Sequence, residues 1–373
     1  MGTTPLRFYS IRRFVLSGCC ILLTISLSLA DDSATIETIA GTGESGVVPV
    51  TGRAVEVPIG NPFGVELGPD GALYICEVDH HRVRRLDLET GQLTTFAGTG
   101  RKGYAGDGGP ATTALLNEPY EVRFDTNGNM YFVEMQNHLV RRVDRQTGII
   151  STVAGCGEEG YGGDGGPALE AKMKRPHSIG LDEQGKLYIA DIGNHRIRVV
   201  DLKTGTINSL AGNGAKSLPV DGDVVRGKPM LGPRALTVEG RTLWIALREG
   251  HSVWKLDLDS EVIQHVAGTG KKGFSGDGGP ALQATFNGPK GIAVGPKGNI
   301  FVVDTENQVI RNIDRETGTL TTVAGRGPKW RGPEGDRGPA TSASMNRPHG
   351  ICVGPDGTIY IGDSENHRVR RVR

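Results

Sequence analysis

The phrase apolar-x-x-apolar-Ala-Gly begins at Ile36, Leu93, Ile150, Ile207, Ile263 and Leu320. Four of the five intervals are 57 residues long and one is 56. A period of this length marks a chain built from one supersecondary unit used repeatedly. Such a unit cannot bury both faces alone, so its neighbours must stack on it.

Every unit runs through the same events. A Gly-rich loop such as Gly103-Tyr104-Ala105-Gly106-Asp107-Gly108-Gly109-Pro110-Ala111 follows the phrase. A Pro then precedes a short apolar strand such as Gly291-Ile292-Ala293-Val294, and a turn of the type Gly295-Pro296-Lys297-Gly298-Asn299 ends it. Leu187-Tyr188-Ile189-Ala190-Asp191 reads as a second strand, and Arg196-Ile197-Arg198-Val199-Val200-Asp201 as a third beyond a polar turn. With the Ala-Gly strand this gives four short strands per unit, bounded by Gly, Asn, Asp and Pro. The 57 glycines and the 5% aromatic content suit a fold of tight turns.

Four-stranded units repeated radially are propeller blades. The expected fold is therefore an all-β, six-bladed β-propeller over residues 31–373. The last unit stops at its third strand, Val369-Arg370-Arg371-Val372-Arg373, while Ile36–Ala40 is a spare Ala-Gly strand at the other end. The amino-terminal strand is expected to complete the last blade and close a single-chain ring.

The units Leu187-Tyr188-Ile189-Ala190-Asp191-x-Gly-Asn-His-Arg-Ile-Arg and Pro289-x-Gly-Ile-x-Val resemble NHL repeats, across residues 36–373. The Ala-Gly-Thr-Gly and Gly-Asp-Gly-Gly-Pro-Ala segments resemble secreted bacterial NHL proteins in particular. The resemblance implies a binding platform or scaffold. Related six-bladed propellers imply the alternative, a metal-dependent lactonase- or lyase-like enzyme with its site at the channel mouth. The channel-mouth acidic ligand usual in the lactonases has no counterpart after any of the six prolines.

Residues 1–30 read as an export signal. Arg12 and Arg13 precede the apolar run Phe14–Ala30, and Ser28-Leu29-Ala30 supplies small residues for cleavage after Ala30. An uncleaved anchor and lipoprotein processing at Cys19 are the competitors, the latter with only Phe14 and Val15 between it and Arg13. The expected location is secreted, periplasmic or in the cell envelope, with no membrane span after cleavage. Three of the 42 basic residues and none of the 42 acids lie in the first thirty positions, so the remainder is slightly acidic. That balance speaks against nucleic acid and leaves protein, peptide or glycan partners.

The residue after each inner-strand proline is chemically mixed: Phe63, Tyr120, His177, Arg234, Lys290 and His349. These six are expected to converge at the mouth of the central channel. The aromatic pair should oppose the cationic pair, with the two histidines facing each other between them. Such a mouth suits an anionic or sugar-like ligand. Three further columns repeat. Glu77, Glu134, Asp191, Asp304 and Asp363 end the second strand and are expected to cap their own turns; blade four has Leu247 there. His81, His138, His195, His251 and His367, with Gln308 in blade five, are expected to be structural, because packed sheets stand about 10 Å apart and could not share a zinc ion. Asp107, Asp164, Asp277 and Asp336 in the Gly-rich loops offer one carboxylate each, a thin basis for calcium beside an Asx turn. Calcium or zinc is thus a possible cofactor without an assigned site, apart from a metal at His177 and His349. The Arg pairs of the third strands (Arg84-Arg85, Arg141-Arg142, Arg370-Arg371) are expected on an outer, solvated surface. Cys76, Cys156 and Cys352 are expected to be buried free thiols, with a Cys76–Cys352 bridge across the ring seam as the alternative. Blades one and four lack the Gly-Asp-Gly-Gly motif, which leaves their loops for partner-specific contacts.

Overall fold

The computed structural model describes residues 1–2, 34–46 and 51–373. The export signal lies outside the described residues. Asp31–Arg373 forms one compact unit, and it is an all-β, six-bladed propeller of antiparallel four-stranded blades. No helix among the described residues is long and apolar enough to cross a membrane.

Blade one consists of Pro62–Leu67, Leu73–Glu77, Arg82–Leu86 and Gln92–Ala97, from the axis outward, with a short fifth strand, Thr51–Arg53, at the rim. The inner strands of successive blades touch one another in sequence, and the inner strand of blade six (Ile351–Val353) touches that of blade one. The apolar clusters lie between blades. One joins Val133, Val140 and Ala154 of blade two to Ile179, Leu187 and Ile189 of blade three. This is why the second strands read as continuous apolar runs: both faces are covered.

Closure follows the expectation. Ile36–Ala40 pairs antiparallel with Arg368–Val372 as the outer strand of blade six. Thr35 and Arg373 exchange backbone hydrogen bonds at 2.8 and 3.0 Å, and Glu37 accepts from Arg371. In blades one, two, three and five an Asp-x-x-Thr-Gly turn joins the third and outer strands, and in blade four Asp257-Leu258-Asp259-Ser260-Glu261 takes its place. In blade two, for example, Asp144 accepts the N–H groups of Gln146 and Thr147.

The Ala-Gly phrase has a steric cause. Gly41, Gly98, Gly155, Gly212, Gly268 and Gly325 all have φ between 87° and 94°. A Cβ at any of them would meet the carbonyl oxygen of His367, His81, His138, His195, His251 or Gln308 respectively. Only glycine combines that φ with so close an approach. A β-bulge at the same end of each outer pair turns the chain off the rim.

Candidate functional site at the propeller axis

Three structural columns surround the axis. The histidine column is structural, as expected, and links blades. Each histidine is left-handed, with φ from 45° to 56°. Its Nδ1 accepts the backbone N–H that opens the next blade's inner strand. His81 accepts from Glu118, His138 from Arg175, His195 from Gly232, His251 from Gly288 and His367 from Asn61, at 3.1–3.2 Å. Gln308 accepts from Arg347 through its amide oxygen and completes the circle. Burial lowers the proton affinity of His81, His138, His195 and His251.

The acidic column corrects the expectation in its partners. Each carboxylate caps a backbone N–H seventeen positions upstream, in the loop before the inner strand, rather than its own turn. Asp191 accepts from Lys174 and Asp363 from Asn346, both at 2.8 Å. In blades two, three, five and six an Asn three positions on donates to the same carboxylate and to a loop glycine carbonyl, as Asn194 does to Asp191 and Gly160.

The third strands also depart from expectation. Arg84, Arg141, Arg198, Arg311 and Arg370 are fully buried. Each faces the acid seven positions earlier, at 2.8–3.6 Å. In four blades the loop aspartate closes on the same guanidinium: Asp107, Asp164, Asp277 and Asp336, at 2.6–3.0 Å. A buried charge needs such partners; of the three arginine pairs, only the second members, Arg85, Arg142 and Arg371, remain partly exposed. The loop aspartates are therefore arginine partners, and with each carboxylate so engaged these loops do not fit a calcium site. In blade four Leu247 replaces the acid and Trp254 the arginine, with the indole stacked on His265.

Inside these columns the six axial residues come together. Phe63, Tyr120, His177, Arg234, Lys290 and His349 are all buried, so they fill the top of the channel instead of lining an open mouth. Each histidine packs on an aromatic ring instead of facing the other. His349 stacks on Phe63 at 3.9 Å, and His177 meets Tyr120 edge-on at 4.5 Å. Phe63 and Tyr120 also meet edge-on at 4.5 Å. His349 lies in a chain: Lys290 Nζ stands 3.4 Å from its Nε2, its Nδ1 stands 3.0 Å from Ser364 Oγ, and that hydroxyl donates to the Pro62 carbonyl. Lys290 also donates to Glu306 at 3.0 Å.

Arg234 differs from its neighbours. It is 1% exposed, its guanidinium lies over the Tyr120 ring at 4.7 Å, and its Nε and Nη1 have no hydrogen-bond partner. No carboxylate among the described residues pairs with it. Its charge acts on the whole cluster. Burial and then the Arg234 charge hold His177 well below the ordinary histidine range, and burial, Lys290 and Arg234 do the same to His349. Burial brings Lys290 down to about 8. Both histidines are therefore neutral at pH 7.

Arg248 is a participant that the columns missed. It follows Leu247, where the other blades carry Val78, Met135, Ile192, Thr305 and Ser364. Its charge contributes to lowering His177. A comparison of that column would have found it, as the one charge among apolar and hydroxyl residues.

The NHL repeat model matches residues 173–200 and 345–372, and the Teneurin NHL domain model matches residues 254–333. The chain carries NHL repeats. The NHL ring is 26% identical over 336 residues to human NHL repeat-containing protein 2, covering 80% of this chain and 44% of that protein. It is 26% identical over 352 residues to mouse Teneurin-3, covering 83% of this chain and 12% of that protein. The chain thus spans less than half the length of these curated relatives. Among solved structures, an auxiliary nutrient binding protein from Bacteroides ovatus superposes with a TM-score of 0.67 at 18% identity, over 91% of this chain and 76% of that one. A streptogramin B lyase does so with 0.53 at 15%, over 91% and 97%. At these identities the likeness is one of fold.

Two features of the NHL ring lie away from the top of the axis. Cys76 and Cys352 are buried free thiols, as expected, and no bridge crosses the seam; Cys156 is also free but exposed. At the opposite end of the inner strands a cavity of about 380 Å³ is lined by Glu66 and Arg123. Arg123 pairs with Glu66 at 3.1 Å and Glu121 at 2.6 Å. Burial pushes the Glu66 carboxyl up to about 7.

Proposed function

We propose that the protein is a binding module that acts outside the cytoplasm and takes an anionic group at the top of the propeller axis. The observation that carries this reading is Arg234. A buried guanidinium with two unsatisfied N–H donors costs stability unless something occupies them. Planar oxyanions match those donors. Phe63 and Tyr120 supply an apolar wall beside them, and two neutral histidines supply further polar edges. The ring of inter-blade hydrogen bonds fixes the backbone around these groups, and an anion reaches the buried Arg234 donors when side chains that fill the channel top move aside.

The enzyme alternative would need an acid–base group and an ion at this place. Among the described residues no group of three or more His, Cys, Asp and Glu side chains is arranged to hold a metal. His177 and His349 each hydrogen-bond within the protein through Nδ1. The donor set fits recognition of an anion better than metal-assisted chemistry. A binding role also accords with the nutrient-binding description of one similar propeller.

The test is calorimetric titration with carboxylated, sulfated and neutral oligosaccharides, using the parent and Arg234→Met. Binding confined to anionic members and lost in the variant is expected. Equal affinity in the variant would overturn the axial site.

A further inference from the structure

The lower end of the propeller axis holds a charge imbalance of its own. In blades one to four the third residue after the axial one is Glu66, Arg123, Gly180 and Thr237. These four line the cavity of about 380 Å³ at that end, together with Phe124, Leu181 and Val238 as an apolar wall. Gly180 keeps the space open, since a Cβ there would stand only 2.9 Å from Val238 Cγ2. The size falls within the usual range for small-molecule sites.

One guanidinium serves two carboxylates here. Arg123 Nη1 donates to Glu66 Oε2 at 3.1 Å and to the Val122 carbonyl. Its Nη2 donates to the Leu236 carbonyl of blade four at 3.2 Å and pairs with Glu121 Oε1 at 2.6 Å. The terminal N–H groups are thus taken. Glu66 is partly exposed, and its Oε1 accepts no hydrogen bond among the described residues. Glu121 is buried deeper and does not line the cavity; its part is to occupy Arg123. The cavity therefore lacks a cation: its strong donors are engaged, and a reachable carboxylate has an oxygen to spare. Burial pushes the Glu66 carboxyl up to about 7 in spite of Arg123, which is the same shortage felt by a proton. The other groups facing it are Glu121 of blade two and the Cys352 thiol of blade six, which burial keeps protonated.

We infer that the lower mouth of the channel is a second binding site, for a small organic amine whose ammonium group sits on Glu66 and whose apolar body lies against Phe124, Leu181 and Val238. A hard metal cation would find one carboxylate where it needs several oxygen ligands, and it would leave the apolar wall uncovered. This site stands apart from the cluster at the top of the axis and takes a charge of the opposite sign.

The experiment is titration calorimetry at pH 8 with two pairs of probes matched in shape, phenethylamine with phenethyl alcohol and hexylamine with hexanol. In at least one pair the amine should bind roughly tenfold or more tightly than the alcohol. Glu66→Gln keeps the shape and should remove that preference. Glu121→Gln should also reduce it, although Glu121 touches no ligand, because Arg123 is then left to neutralise Glu66 alone. At pH 7 amine binding to the parent should release a fraction of a proton, because the ammonium favours the ionised carboxyl. The release is read from binding enthalpies in two buffers of different ionisation enthalpy. No preference for either amine in the parent, a preference kept in full by Glu66→Gln or Glu121→Gln, or amine binding without proton release would each overturn the inference. Should Glu66→Gln fail to fold, Glu121→Gln and the proton release decide.

Discussion

His195 Nδ1 accepts the backbone N–H of Gly232 at 3.1 Å across the seam between blades three and four. The bond exists only while Nδ1 keeps its lone pair. Burial lowers the proton affinity here as well, so the folded protein binds a proton less readily than the unfolded chain, whose histidine titrates near 6.5. The stability from this bond is fully present above about pH 6.5 and is lost as pH falls below it. The same holds at His81, His138 and His251.

Blade five already carries the non-titrating solution, Gln308. Replacing His138, His195 and His251 by Gln should leave the melting temperature at pH 7 within a few degrees of the parent. Between pH 7 and pH 5 the variant should lose less, by roughly 2–4 °C for each kcal/mol of linkage removed. The buried carboxyls work in the opposite sense. Asp191, Asp304 and Asp363, raised to about 6, favour the folded state more as pH falls. They are present in both proteins, so the difference between the two melting profiles isolates the histidines. Parallel profiles would refute the assignment.

Blade four shows how an ion pair and an apolar pair substitute for each other. Arg198→Met in blade three strands Asp191 and should cost about 3–5 kcal/mol in urea unfolding. Asp191→Leu with Arg198→Trp copies blade four and should recover at least half of that loss. A double variant as unstable as the single one would mean that the tryptophan of blade four depends on its own surroundings, the His265 ring it stacks on and the Ser252 hydroxyl to which its indole N–H donates.

Arg234 makes a different prediction, since its donors are unfilled in the free protein. Arg234→Met should melt at the parent temperature or higher without ligand, while anion binding disappears. A fall of more than a few degrees would show that the guanidinium is a structural element.

Removing residues 34–41 takes away the outer strand of blade six and exposes the edge of Arg368–Val372. The truncated ring should melt well below the parent and bind a synthetic peptide of residues 34–41, read by fluorescence anisotropy. An unchanged melting curve would contradict closure by this strand.

The architecture was open to sequence reading because six copies of one pattern repeat with almost constant spacing, and turn chemistry marks every strand boundary. The axial cluster was legible for a related reason: the position after each proline varies while its surroundings do not. The buried arginines were misread because a third strand such as Arg82-Val83-Arg84-Arg85-Leu86 alternates charge and apolarity, the pattern of a half-solvated strand. Which face carries Arg84 depends on register against the neighbouring strands. One clue was available: Leu247 and Trp254 change together, seven positions apart, where the other blades keep an acid and an arginine. The closure of the channel mouth had no such signal, because how deeply side chains interdigitate at an axis is set by the tilt and separation of the blades.

The pairing of Thr35 with Arg373 has a mechanical consequence. The two strands of the closing pair run antiparallel, and Thr35 and Arg373 lie at the same end of the pair. Tension applied between these two residues would load the hydrogen bonds one after another, as in peeling tape, and not all at once in shear. The closure that removes an exposed edge at rest is thus the place where the ring would yield first when pulled.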